Sequence, residues 1–210
     1  MTSNTPGASE PTQAANLTRR MSSGVGLVMA SLGIMWVIEI VDSVLLNSRL
    51  EGGGIHPRAL DGIDGVLWAP WLHGGFGHLI SNSIPFILLG LLVVVHGRTR
   101  LIEVAVGVTL IGGGLTWVFA RSGNHIGVSG VVFGFLGYLI TAAFAARSIR
   151  SILTGLIAIV LYGGLLWGVL PAPGISWEGH LFGGIAGAAM AVFLGDTKRL
   201  RRSPGPASAA

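Results

Sequence analysis

Apolar residues along this chain fall in runs of about twenty, separated by short stretches holding arginine, proline or glycine. The runs cover about 24–47, 77–96, 101–120, 127–146, 151–170 and 178–195. A helix rises about 1.5 Å per residue, so about twenty apolar residues cross about 30 Å of hydrocarbon. The pattern predicts an all-α membrane protein with six transmembrane helices. The first run is too long for the apolar core of a signal peptide, and no cleavage site of that kind follows it; it is expected to be retained. Residues 1–20 are rich in Ser, Thr, Pro, Gly and Asn and read as a disordered cytoplasmic tail. The bundle is expected over 21–196, with 197–210 a basic, disordered C-terminal tail.

The cations orient the bundle. Arg19, Arg20, Arg98, Arg100, Arg147, Arg150, Lys198, Arg199, Arg201 and Arg202 fall on one side, and Arg49, Arg58 and Arg121 on the other. Positive charge concentrates on the cytoplasmic side. Both termini are therefore expected in the cytoplasm, and runs two, four and six begin at the outer face. The long outer loop, about 48–76, carries Trp68, Trp71 and Phe76, which suit a membrane interface. The outer loop PAPGISWEG (171–179) reads as a turn able to form a lid.

Composition agrees with this picture. Only 10% of residues are charged, 51% are hydrophobic, and mean hydropathy is +0.72, far from a soluble domain. Many of the 34 glycines lie inside apolar runs, where they let helix backbones approach closely. The absence of cysteine excludes disulfides, cysteine catalysis and thiolate metal sites. The net charge of +4 comes from small dispersed basic sets, which is no nucleic-acid signature. The C-terminal basic set suits anionic lipid heads.

Polar groups inside a bundle are costly and point to function. His78 and Asn82 open run two, Ser129 opens run four and His180 opens run six, so the topology puts all four at similar depth near the outer face. Gly183, Gly187 and Ala191 form a small-residue stripe below His180, and Gly130 and Gly134 form a matching GxxxG step below Ser129. Packing of the two stripes would bring the hydroxyl within reach of the imidazole, as in an activated nucleophile with its base. His78 and Asn82, at i and i+4, share a helix face and can donate to a developing oxyanion together with the Ser129 N–H. Taken singly, each of these residues also has a packing or helix-bonding role open to it. Glu39 and Asp42 are expected to face the bundle, bonded to other helices. His56, His96 and His125 read as solvated, and His73 as support for a loop-to-helix junction.

Three motifs in order resemble the rhomboid intramembrane serine proteases: "HGGFGHLISN" (73–82), "GVSG" (127–130) and "GHLFGGIAG" (179–187). The resemblance spans about 24–195 and implies the minimal six-helix form of a rhomboid-like bundle. It implies Ser129 as nucleophile, His180 as base, and His78, Asn82 and the Ser129 N–H as oxyanion hole. Gly127, Gly130, Phe133, Gly183 and Gly187 would support them, with Phe133 against the catalytic histidine. It also implies transmembrane protein substrates, cut near the outer face at small residues where their helix unwinds. Residues 151–179 would act as gate and cap. No metal or cofactor is expected. The Trp-Arg pair common in the family's first outer loop is absent: Trp68-Ala69 and Trp71-Leu72 stand there, which leaves that loop's anchor open. Two alternatives are a catalytically silent rhomboid-like binder of membrane proteins and a zinc hydrolase ligated by His73, His78 and His180. The second lacks any HExxH or nearby carboxylate base.

Overall fold

The computed structural model describes residues 13–146 and 148–195; residues 1–12 of the first expected tail, all of the second, 197–210, and residues 147 and 196 lie outside the described residues. Among the described residues, the longest helical segments pack together as a bundle. They are α1 (Gln13–Val41), α2 (Phe76–Val94), α3 (Arg98–Phe119), α4 (Ser129–Ala146), α5 (Ile149–Tyr162) and α6 (Trp177–Phe193). Helix α1 thus begins at Gln13, inside the stretch expected as a tail. Among the described residues no β-strand forms, although Ile55 and His125 make one isolated antiparallel bridge.

Among the described residues, four segments are long and apolar enough to cross a membrane: Met21–Leu46, Phe76–Val94, Arg98–Phe119 and Ile149–Val169. A fifth, Ser129–Ala145, is apolar but shorter. Their outward faces carry bare aliphatic side chains such as Val37, Ile84, Val106 and Val160. In water that surface would drive collapse; in lipid it is simply solvated, and close packing must hold the helices together.

Helix α4 lies at the centre. Val132, Phe133, Phe135, Leu136, Tyr138, Leu139 and Ala142 are all buried, so its first half is apolar on every face because it is covered there, while Phe144 near its end is exposed. It packs most extensively on α6, and also on α5 and α2. Helix α6 has α3 on another side, where a π-turn at Val108–Gly112 lets Gly112 approach Gly183.

Helix ends have local causes. Past α1, a π-turn at Asp42–Leu46 closes when the Asp42 carbonyl accepts the Ser48 N–H and its Oδ1 accepts the Leu50 N–H at 2.9 Å. Glu39 accepts from Ser43 Oγ at 2.8 Å. Both acids are buried as expected, but the bonds found are local and not to other helices. In α2, Pro85 has no N–H and leaves the Ser81 carbonyl without its helical partner.

The loop before α2 is anchored by an arginine other than the missing one. Arg58 Nη1 donates to the carbonyls of Val118 and Ala120, at 3.2 and 2.7 Å, at the end of α3. Those carbonyls have no helical donor, and a cation there also answers the negative end of the helix dipole. Trp117 Nε1 donates back to the Ala59 carbonyl at 2.9 Å, Asn124 Nδ2 to Glu51 at 2.6 Å, and the Gly127 N–H to Ala69 at 2.9 Å. The loop is thereby stitched to the α3–α4 linker that leads into Ser129.

Candidate active site

The α4–α6 seam decides what meets what. A methyl at Gly183 would overlap the Gly130 carbonyl, one at Gly187 the Gly134 carbonyl, and one at Gly137 the Gly184 carbonyl. Backbone rests on backbone at three successive levels. Above the uppermost level the two helices begin, with Ser129 as the first residue of α4 and His180 in the first turn of α6. His180 Nε2 lies 2.9 Å from Ser129 Oγ.

The other ring nitrogen fixes the tautomer. His180 Nδ1 is 2.9 Å from the carbonyl of Gly168, which can only accept. A neutral His180 therefore carries its proton on Nδ1 and presents a lone pair on Nε2, to which the Ser129 hydroxyl donates. The ring is clamped flat on Phe133, with centroids 4.2 Å apart and planes at 6°. Gly168 belongs to the 3-10 segment Gly163–Val169 that follows α5. A side chain there would crowd Phe133 at 2.9 Å and His180 Nδ1 at 3.4 Å.

Two donors from α2 converge on the serine's loop. The Gly74 N–H donates to His78 Nδ1 at 3.3 Å, so His78 carries its proton on Nε2. A Cβ on Gly127 would lie 2.8 Å from that Nε2 and 3.6 Å from Asn82 Nδ2. Gly127, at φ +107, is in a conformation that side chains disfavour, so glycine is required there twice over. Asn82 is buried and its Nδ2 has no hydrogen-bond partner among the described residues. Ser129, as the first helical residue, has an N–H with no intrahelical acceptor.

His78, Asn82, Ser129, Phe133 and His180 line one cavity of about 640 Å³, bordered by Gly164, Leu165 and Gly168 on the α5 side and by Gly174–Ser176. His73 lies just behind. Its ring meets His78 edge-on with centroids 5.2 Å apart, and its Nε2 accepts the Val128 N–H at 3.4 Å. Burial, and then the neighbouring His78, push the His73 pKa down from 6.5 to about 4, against a smaller opposing effect of the Trp71 backbone. His73 is thus a neutral acceptor holding the residue before the serine. Among the described residues no group of three or more His, Cys, Asp or Glu side chains is placed to hold a metal ion.

Two readings change. His125, expected to be solvated, is buried: Nε2 donates to the Arg121 carbonyl at 3.1 Å and Nδ1 accepts from Ser176 Oγ at 2.6 Å. His96 is half-buried, packed on Tyr138 with Nε2 3.0 Å from Thr154 Oγ1. The part played by the Gly168 carbonyl was invisible to sequence reasoning, because a backbone acceptor leaves no side-chain signature.

Comparison with known proteins agrees with the motifs. A family model described as the Rhomboid domain matches residues 64–197. An uncharacterized protein of Mycobacterium tuberculosis is 34% identical over 203 residues, 92% of this chain and 84% of its own. A Bacillus subtilis protein, YdcA, named as a proposed rhomboid protease, is 32% identical over 134 residues, 62% of this chain and 66% of its own. RHOMBOID-like protein 4 of Arabidopsis thaliana is 29% identical over 143 residues, 66% of this chain and 36% of its own.

Proposed function

This chain belongs to the rhomboid family of integral membrane proteins, and on that premise we propose that it is an intramembrane serine endopeptidase acting through Ser129 and His180. The observation that carries the reading is the 2.9 Å contact between Ser129 Oγ and His180 Nε2, in the tautomer set by Gly168. A silent binder has no need of a base oriented on a hydroxyl.

In the proposed reaction Ser129 Oγ attacks the scissile carbonyl while His180 Nε2 takes its proton. The imidazolium formed keeps its Nδ1–H on the Gly168 carbonyl. His78 Nε2–H, Asn82 Nδ2–H and the Ser129 N–H donate to the developing oxyanion. His180 then protonates the leaving amine, and water, activated by the same imidazole, releases the acyl group from Ser129. The donors on His78 and Asn82 suit this task, since neither nitrogen donates to any other group among the described residues.

The substrates in this reading are transmembrane segments of other proteins. Their helix must unwind locally, because helical carbonyls are hydrogen-bonded and shielded. The proposed topology is six spans with both termini cytoplasmic, the cavity opening near the outer face of the cell membrane. Water reaches the serine from that side, which is why the dyad lies at helix starts and not at mid-membrane. The test is cleavage of a model transmembrane substrate by purified protein in detergent. Ser129→Ala and His180→Ala should each abolish cleavage, and chelators should leave it intact. Cleavage persisting in Ser129→Ala removes the proposal.

A further inference from the structure

Two of the three arginines on the site end are structural, and the second of them leads to the start of α6. The first, Arg58, caps α3. The second, Arg121, follows α3 and reaches across to the loop before α6. Its Nη2 donates to the Ile175 carbonyl, its Nε lies 3.5 Å from Glu178 Oε1, and its backbone N–H lies 3.3 Å from the same oxygen. Four residues on, His125 takes the Ser176 hydroxyl at 2.6 Å and returns a bond to the Arg121 carbonyl. Residues 175, 176 and 178 are therefore all held from one short linker. That linker is itself pinned by the Ile55–His125 bridge and by the bonds from Asn124 and Gly127.

The neighbouring half of the same loop is different. Residues 170–174 read Leu-Pro-Ala-Pro-Gly, side chains that cannot make a hydrogen bond or ion pair, and all but the half-buried Ala172 are exposed, with Gly174 at φ +73. The loop is fixed at its α6 end and lightly held at its α5 end.

Glu178 makes the pair more than a surface contact. Its side chain is 5% exposed, whereas that of Arg121 is 46% exposed. A buried carboxylate held by one cation resists rearrangement, because separating them strands a charge away from water. Glu178 is also two residues before His180, in the first turn of α6, where an acid suits the positive end of the helix dipole.

We infer that Arg121 and Glu178, with His125 and Ser176, form a latch that fixes the α6 end of this loop and so positions His180 on Ser129 while the α5 end moves. Its geometry stands by itself; its consequence for turnover rests on the protease reading above. Arg121 and Glu178 are positioning residues and touch no reacting atom. The device divides two tasks that a single short loop must perform. Substrate needs an opening, and the base must not move when it is made.

The test uses the absence of cysteine in the full chain. A spin label is placed at Ile175→Cys or Leu170→Cys, both at exposed side chains, in protein reconstituted into lipid nanodiscs. The label at 175 should be immobilised and that at 170 mobile. Adding Arg121→Ala should raise mobility at 175 and leave 170 unchanged. The same change should lower kcat more than about tenfold with KM within about threefold, since a base displaced by a fraction of an ångström loses the transition state more than substrate binding. Arg121→Lys should restore part of kcat. Because Arg121→Ala strands a buried acid, the milder Glu178→Gln is run beside it, with a smaller loss of the same kind expected. Equal mobility at 175 and 170 in the parent overturns the latch, as does unchanged mobility at 175 in both variants. Freed labels with unchanged kcat overturn the positioning role. The label measurements need no proteolysis, so they decide the latch even if Ser129→Ala shows the protease reading to be wrong.

Discussion

Helix α4 has a neighbour on each flank, and the two contacts are built differently. Toward α6, glycine backbone meets carbonyl at Gly130–Gly183, Gly134–Gly187 and Gly137–Gly184, over most of the shared length. Toward α5, the close approach is at Gly155, against Ala143 and Leu139, far from Ser129. The buried residues of α5 are Ser151, Thr154, Gly155 and Ala158, all in its first ten residues, and the following Gly163–Val169 buries none. Helix α5 is therefore gripped at one end and open at the end beside the cavity. The proposed nucleophile and base, Ser129 and His180, lie across the tight contact, and the cavity is bordered by the loose one. Under the proposed protease reading, this separation would admit a substrate helix without disturbing the dyad.

The largest expected effect comes from loosening the tight side. Gly183→Ala or Gly187→Ala puts a methyl where a backbone carbonyl stands, and a carbonyl cannot turn aside as a side chain can. Separating α4 from α6 by even about 1 Å should cost on the order of a hundredfold or more in turnover. Gly164→Ala, on the loose side with nothing within 4 Å of its would-be Cβ, should leave turnover within about twofold. Parallel assays and melting curves decide it, and equal losses at both positions would erase the contrast.

Next in size is the oxyanion side. Asn82→Ala removes one of three proposed donors and should slow kcat by about 10- to 100-fold, with a smaller change in KM. A pure KM effect would instead assign Asn82 to substrate binding.

Gly168 joins the two regions, because its carbonyl, carried by the loose segment, holds a ring that belongs to the tight one. Gly168→Ala presses on Phe133 and His180 from 2.9 and 3.4 Å and should lower kcat by about three- to tenfold. Unchanged kinetics would show that this carbonyl does not govern the base.

The smallest effect on turnover is expected at His73, whose readout is stability. With a folded pKa near 4 against 6.5 when free, the unfolded chain binds its proton first as pH falls. The stability it contributes is complete above about pH 6.5 and is lost toward pH 4, on the order of 3 kcal/mol in all. His73→Asn should flatten that part of the stability profile in detergent. An unchanged acid slope would assign it to other groups.

The tight side could be read from the sequence and the loose side could not. Small residues at i+3, i+7 and i+11 from His180, facing a GxxxG after Ser129, already imply two apposed helices, though the third level at Gly137 and Gly184 went unseen. His78 and Asn82 share a helix face by spacing alone. The Gly168 acceptor is backbone and has no code in residue identity. Arg58 and Arg121 counted only as topology charges, since their partners are carbonyls and an acid more than fifty residues away. His125 looked like a loop residue because its burial comes from three segments meeting around it.

The most direct measurement of the central claim is where a fluorophosphonate probe attaches. Reacted with the detergent-purified protein and mapped by peptide mass spectrometry, it should label Ser129. Labelling should fall to background in His180→Ala and persist in His125→Ala. An adduct at another serine, or equal labelling of Ser129 without His180, would contradict an activated hydroxyl at the head of the α4–α6 seam.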